Sequence, residues 1–154
     1  RPGYEEQIDN EKYEYKPRDF ATARRNGIED LLTRLNAARS SHPALRQLRD
    51  IYFHPTSDDQ IIAYSKRVDA FHSPTGKDDV VLTVVNLDPH GARAGEVYLN
   101  LEALGLPGWV DASRPVVKVT DELTGDTYDW SGQNYVRLDP FAGQVAHVFS
   151  VEPL

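Results

Sequence analysis

The chain has no cysteine and no methionine in its 154 residues. Without cysteine it can form no disulfide and no thiolate metal site, which suits a reducing compartment. Without methionine it carries no initiator, and it reads as the C-terminal piece of a larger protein. No apolar run approaches the roughly 18 residues of a membrane-spanning helix. No signal-peptide pattern opens the sequence, and no Asn-X-Ser/Thr acceptor occurs in it. Positive charge is also scarce: 17 Lys and Arg against 24 Asp and Glu leave a net charge of -7. A phosphate backbone needs a basic patch, so nucleic acid is a poor partner. These absences leave a soluble, cytoplasmic protein with neither nucleic acid nor membrane as partner.

What is present divides near residue 50. Residues 1–25 show almost no hydrophobic period, but charged residues alternate there with Tyr4, Tyr13, Tyr15 and Phe20. Interspersed aromatics argue for order, because disordered tails are poor in them. A segment this long without a pattern is a functional loop in most compact proteins. A helix follows, with Asn26 as its cap and Glu29 in the capping-box position. Ile28, Leu31, Leu32, Leu35 and Ala38 form one apolar stripe at helical spacing. Burial of its three leucines contributes about 1.5–3 kcal/mol each, and Leu35→Ala in a buried stripe costs about 2–5 kcal/mol. Pro43 ends the helix near Ser41 and opens a short second helix through Leu48.

From residue 51 the period becomes two. Strands are expected at 51–54, 61–67, 80–86, 96–101, 116–121, 127–129, 135–138 and 145–151. Val97, Leu99 and Leu101 alternate with Glu96, Tyr98 and Asn100, as in a half-buried strand. Residues 80–85 are apolar throughout except for Thr83, which marks a central strand covered on both faces. Leu123, Thr124, Gly125 and Asp126 read as a hairpin tip with Gly125 at positive φ. Ten prolines and ten glycines suit so many turns, and short strands between turns indicate an antiparallel sandwich. The five histidines, at 42, 54, 72, 90 and 147, have no metal-ligand spacing; no metal or cofactor is implied. Glu5, Glu6 and Asp9 read as a solvated face. Trp130, beside a hairpin, reads as packing rather than as a sugar platform.

Two stretches carry a resemblance. The helix running through Leu35-Asn36-Ala37-Ala38-Arg39 to His42-Pro43-Ala44-Leu45-Arg46, followed by Val84-Val85-Asn86-Leu87-Asp88-Pro89, resembles the end of α-amylase superfamily enzymes. The opening Arg1-Pro2-Gly3-Tyr4-Glu5-Glu6, with Asp9-Asn10-Glu11-Lys12-Tyr13 and Arg18-Asp19-Phe20, is more specific. With the late Asp121-Glu122-Leu123-Thr124-Gly125, Tyr128-Asp129-Trp130 and the run from Asn134 to Pro140, it resembles the GlgE-type α-1,4-glucan:maltose-1-phosphate maltosyltransferases. The resemblance implies the end of a (β/α)8 TIM barrel, its last βα loop and helix, over residues 1–50. An all-β antiparallel sandwich, domain C, would follow over residues 51–154. It makes Lys12 and Tyr13 substrate-binding residues of the donor pocket, with Asn10 and Glu11 as neighbours that orient them. A charged ammonium suits sugar hydroxyls, and a tyrosine ring suits the C–H face of a pyranose.

The same resemblance implies a retaining double displacement by an Asp nucleophile and a Glu acid/base upstream of Arg1, leaving no catalytic residue in this chain and no activity for it alone. Implied partners are maltose 1-phosphate, an α-1,4-glucan such as glycogen or a maltooligosaccharide, the upstream barrel, and a second copy in a homodimer. Other readings stay open. One is another superfamily enzyme, such as a trehalose synthase or α-glucosidase. The other is a non-catalytic glucan-binding or structural β module. Tyr52, Tyr64, Tyr98 and Tyr128 fall on separate strands, so the β domain is expected to have no glucan affinity of its own.

Overall fold

The computed structural model describes residues 15, 17, 19–25 and 28–154. Helix α1 spans Phe20–Arg25 and helix α2 spans Ile28–Ser41, and a 3-10 turn follows at Pro43–Arg46. Eight strands complete the chain: β1 Ile51–His54, β2 Ile61–Val68, β3 Asp79–Asn86, β4 Arg93–Tyr98, β5 Val117–Asp121, β6 Thr127–Trp130, β7 Gln133–Leu138 and β8 Ala146–Pro153. Six of them form one antiparallel sheet in the order β1-β2-β3-β8-β5-β6, and β4 pairs with β7 as a separate ribbon. The expected sandwich is therefore present but unequal, a wide sheet capped by a two-stranded ribbon.

Strand β3 lies between β2 and β8, as its continuous apolar run requires. Val80, Leu82 and Val84 point toward the ribbon and join Val97, Leu99, Val117, Val119, Val136, Leu138 and Phe149 in the main core. Val81 points the other way, toward the helix, and meets Ala38, Leu123 and Val148 in a second cluster. Alternate side chains of a strand serve opposite faces, so one segment holds three layers together.

Asn86 and Asp88 show why the Asn-Leu-Asp-Pro stretch has its composition. The Asn86 amide donates to the Gly91 and Leu138 carbonyls at 2.9 and 3.3 Å, tying the end of β3 to the ribbon. Its Oδ1 accepts the Asp88 N–H at 2.8 Å, and Asp88 in turn accepts from Arg93 Nη2 at 2.6 Å. The β5–β6 connection is the expected hairpin tip. Gly125, at φ 85°, donates its N–H to the Asp121 carbonyl at 2.7 Å in a conformation that a Cβ would strain.

Several expectations are revised. The opening contains a helix, α1, where no period was seen. The Asn26 cap lies outside the described residues, while Glu29 accepts from Arg24 Nε at 2.9 Å. The short helix after Pro43 ends at Arg46, and Leu48 is fully exposed. Strand β4 starts earlier than expected and stops at Tyr98; Leu99 still points inward, but the chain turns at residue 101.

The leucine stripe is not a single buried face. Leu31 and Ala38 pack on the sheet, and Arg34 donates from beside them to the Leu123 carbonyl. Leu35, about 40° round the helix from Leu31, and Leu32, about 100° round from it, remain 37% and 50% exposed. A step of one residue turns the side chain by about 100°, so a stripe this wide spans two directions and the sheet covers only one. Leu82→Ala, at a site with no exposure, is expected to cost about 2–5 kcal/mol in urea denaturation. Leu35→Ala in the same chain is expected to cost less than about 1 kcal/mol.

Candidate functional site

Lys12 and Tyr13, with Asn10 and Glu11, lie outside the described residues, as do Glu5, Glu6 and Asp9. The chemistry that the remaining residues could support rests on three buried or half-buried imidazole clusters, an exposed His72–Asp69 pair at 2.8 Å, and the concave surfaces between the layers.

His54 ends β1 with its ring buried against the sheet. Its Nδ1 accepts the Asn100 N–H at 3.1 Å, so the ring proton sits on Nε2 and is donated to Ser65 Oγ at 2.9 Å. A serine nucleophile needs the reverse, an imidazole nitrogen that takes its proton and a carboxylate behind the ring. This pair is a satisfied core contact. Burial lowers the His54 pKa to about 4, since a charged ring would lose its hydration without gaining a counter-ion.

His42 and Asp79 fasten the helical part to the sheet. His42 Nδ1 donates to Asp79 Oδ1 at 2.7 Å, and the other Asp79 oxygen accepts the Ala44 N–H at 2.7 Å. Glu122 stands 3.4 Å from His42 Nε2. The Asp79 hydrogen bond raises the His42 pKa despite burial, with the Asp79 and Glu122 charges adding to it. This contribution to stability is complete below the ordinary histidine pKa and fades as pH rises through the raised one.

His147 and Asp121 form the third cluster, on β8 and β5. Asp121 is fully buried and accepts from His147 Nδ1 at 2.7 Å, and from the Leu123 and Val148 N–H groups at 3.0 and 3.3 Å. Burial by itself would raise the Asp121 pKa, but these donors outweigh it and hold the carboxyl below its usual range. Asp79 shows the same balance: burial raises it, and His42 and the Ala44 N–H bring it lower. Asp88 is held low by the His90 N–H and Arg93. A glycosidic general acid needs a raised pKa. The aspartates of these clusters are shifted the other way, as anions that organise structure. Among the described residues no three His, Asp or Glu side chains converge as metal ligands.

Two concave regions stand out. One, of about 510 Å³, lies along Arg49, Tyr52, Arg67, Asp69 and Glu102 and carries charges of both signs. The other, of about 200 Å³, opens between the β6 edge and the ribbon, with Tyr128, Trp130, Tyr135 and His147 in its lining. Trp130 is 7% exposed and packs edge-on against Phe149 at 5.0 Å, in keeping with the packing role expected for it. Tyr128 and Trp130 share the i, i+2 spacing of β6, but Tyr135 and His147 come from two other strands, so the grouping was missed from sequence.

The fold defines an antiparallel β-sandwich module with a helical lead-in, whose polar clusters are structural. The family model described as "GLGE, C-terminal" matches residues 53–151, and the chain belongs to that family. It is also similar along its length to enzymes named alpha-1,4-glucan:maltose-1-phosphate maltosyltransferase. Identity is 50% to the one from Arcanobacterium haemolyticum and 48% to the one from Corynebacterium glutamicum, each over all of this chain. It is 45% over 99% of the chain to the one from Bifidobacterium longum. The chain covers 22%, 21% and 20% of these relatives, about a fifth of their length.

The depressed His54 pKa has a defined sign. Below about pH 6.5 the unfolded ring takes a proton that the folded ring refuses, so stability falls between about pH 6.5 and about pH 4. The shift corresponds to roughly 3 kcal/mol. In urea denaturation, the stability difference between the parent and His54→Asn is expected to shrink by about that amount as pH falls across this window. A difference that stays constant with pH would contradict the neutral buried ring.

Proposed function

We propose that this chain is the C-terminal part of a maltosyltransferase that moves maltosyl units from maltose 1-phosphate to the non-reducing end of an α-1,4-glucan, releasing phosphate. The observation that carries the reading is the match of essentially the whole chain, at up to 50% identity, to enzymes bearing that name. The match takes in the opening segment as well as the β domain. In this reading residues 1–50 are the last βα loop and helix of a catalytic (β/α)8 barrel, and residues 51–154 are its C-terminal sandwich. Retaining double displacement requires a nucleophile and an acid/base carboxyl about 5–5.5 Å apart. Both belong to the part of the enzyme outside this chain.

The two-faced helix supports that architecture. Leu32 and Leu35 on α2, together with Leu48, Ile51 and Phe53, are exposed in this chain. Exposed apolar side chains in such number are candidates for a contact site, and the relatives have some four-fifths of their length beyond the matched segment to cover them. Lys12 and Tyr13 line the donor pocket, the ammonium bonding sugar hydroxyls and the ring meeting the sugar's C–H face. The enzyme works in the cytoplasm as a homodimer.

Phosphate release from maltose 1-phosphate by the full-length protein is expected to depend on added glycogen. Turnover of maltose without a phosphate donor would discard the substrate and leave the architecture. In the same protein, Lys12→Ala is expected to reduce donor kcat/KM by at least about tenfold, the loss of one charged hydrogen bond, with the melting temperature unchanged. Unaltered donor kinetics would remove Lys12 from the pocket.

A further inference from the structure

His42 stands where the chain leaves α2 for the wide sheet, and its ring meets a carboxylate at each nitrogen. Nδ1 lies 2.7 Å from Asp79 Oδ1, and Nε2 lies 3.4 Å from Glu122 Oε1. The two carboxylates come from different parts of the sheet: Asp79 opens β3, and Glu122 follows β5 in the turn toward β6. The side chains of His42, Asp79 and Glu122 are 13%, 15% and 27% exposed. Backbone groups fix all three. The His42 N–H donates to the Ala38 carbonyl at 3.0 Å, and Asp79 Oδ2 accepts the Ala44 N–H at 2.7 Å. The Glu122 N–H donates to the Val148 carbonyl at 2.8 Å. The ring is thus anchored to the helix, and its two partners to the sheet.

An ionised carboxylate only accepts, so a ring nitrogen facing it has to carry a proton. Asp79 is held ionised by its donors, which places a proton on Nδ1. Glu122 makes the same demand of Nε2, since a bare nitrogen there would set a lone pair against a negative charge. Only the imidazolium answers both. Without its charge, two carboxylates would face each other across a half-buried joint with no cation between them. Neighbouring cations are committed elsewhere. Arg34 on α2 donates to the Leu123 carbonyl, Arg46 to the Ser40 carbonyl, and Lys66 on β2 to the Gln47 carbonyl. Arg39 on α2 is exposed. Asp78 pairs with Arg67, and Asp121 with His147. The Asp79 hydrogen bond raises the His42 pKa most, burial opposes it, and the Asp79 and Glu122 charges add to the rise.

We propose that His42 is a proton-operated latch between the helical segment and the sheet, closed while its ring is an imidazolium and loosened when one ring proton passes to water. The proton that leaves is the one on Nε2, which faces the more distant and more exposed carboxylate. Nδ1 then keeps its hydrogen bond to Asp79, and the Glu122 contact turns from attraction to repulsion, so loosening begins on the β5–β6 side. The latch joins two parts of this chain and operates whatever reaction the larger protein performs. In the function proposed above, where α2 closes the barrel, it makes the seating of the sandwich pH-dependent. Its sign is fixed: the latch is complete below the ordinary histidine value of 6.5 and is lost as pH rises through the raised one.

The test is hydrogen–deuterium exchange of the full-length protein, read by mass spectrometry from about pH 6 to about pH 9 and corrected for the intrinsic pH dependence of exchange. Protection of peptides from the end of α2 through Arg46 is expected to fall about tenfold as the ring titrates, the loss of one charged hydrogen bond. Peptides from the centre of β3 are expected to keep theirs. In His42→Gln the first set is expected to be equally weak at both ends of the series. Glu122→Gln, at a partly exposed site, removes one carboxylate and leaves an amide that can donate to a neutral ring. It is expected to shrink the fall and move it to lower pH, which loss of a pH-independent contact would not do. Protection that ignores pH in the parent would overturn the proposal, as would a fall of unchanged size and midpoint in either variant. If His42→Gln does not fold, the parent and Glu122→Gln decide.

Discussion

The architecture depends on a single constraint: β3 is apolar on both faces and has to be covered on both. Val80, Leu82 and Val84 draw the β4–β7 ribbon onto one side, and Val81 draws α2 onto the other. A strand buried twice cannot sit at an edge, so β2 and β8 flank it, and the remaining sheet grows outward from that pair. The unequal sandwich follows from the same demand. Two strands suffice to cover the centre of the sheet, and they leave its β6 edge open.

Charged groups reinforce this plan where the layers join. Asp79 begins β3 and holds both His42 and the Ala44 N–H, which fixes the exit of α2 over the sheet. Asp121 ends β5 and holds His147 with the backbone on either side of it. In each case a carboxylate loses hydration on burial and recovers it through three or fewer well-placed donors, which keeps it ionised.

Much of the fold was legible in the residues. The switch from helical to alternating period near residue 50, the unbroken Val80–Val85 run and the Leu123–Asp126 turn are local signals, and each corresponds to an element. The leucine stripe was legible only as an amphipathic helix. How its width would be shared between two neighbours was not, since periodicity reports that a face is apolar but not what covers it. Helix α1 was missed because six residues are too few to show a period. The donor-pocket assignment of Lys12 and Tyr13 came from resemblance and falls outside the described residues.

Sequence by itself determined the class of structure: composition excluded disulfides and thiolate metal sites, and the two periods set a helix followed by a β domain. Those are properties of neighbouring residues, so a linear reading finds them. Only the tertiary structure decided which distant side chains meet. Tyr128, Trp130 and Tyr135 are close in sequence but lie on β6 and β7, which do not pair, and Phe149 lies further along on β8. Strand order and register bring them around one opening, because pairing distance in a sheet is unrelated to distance in sequence.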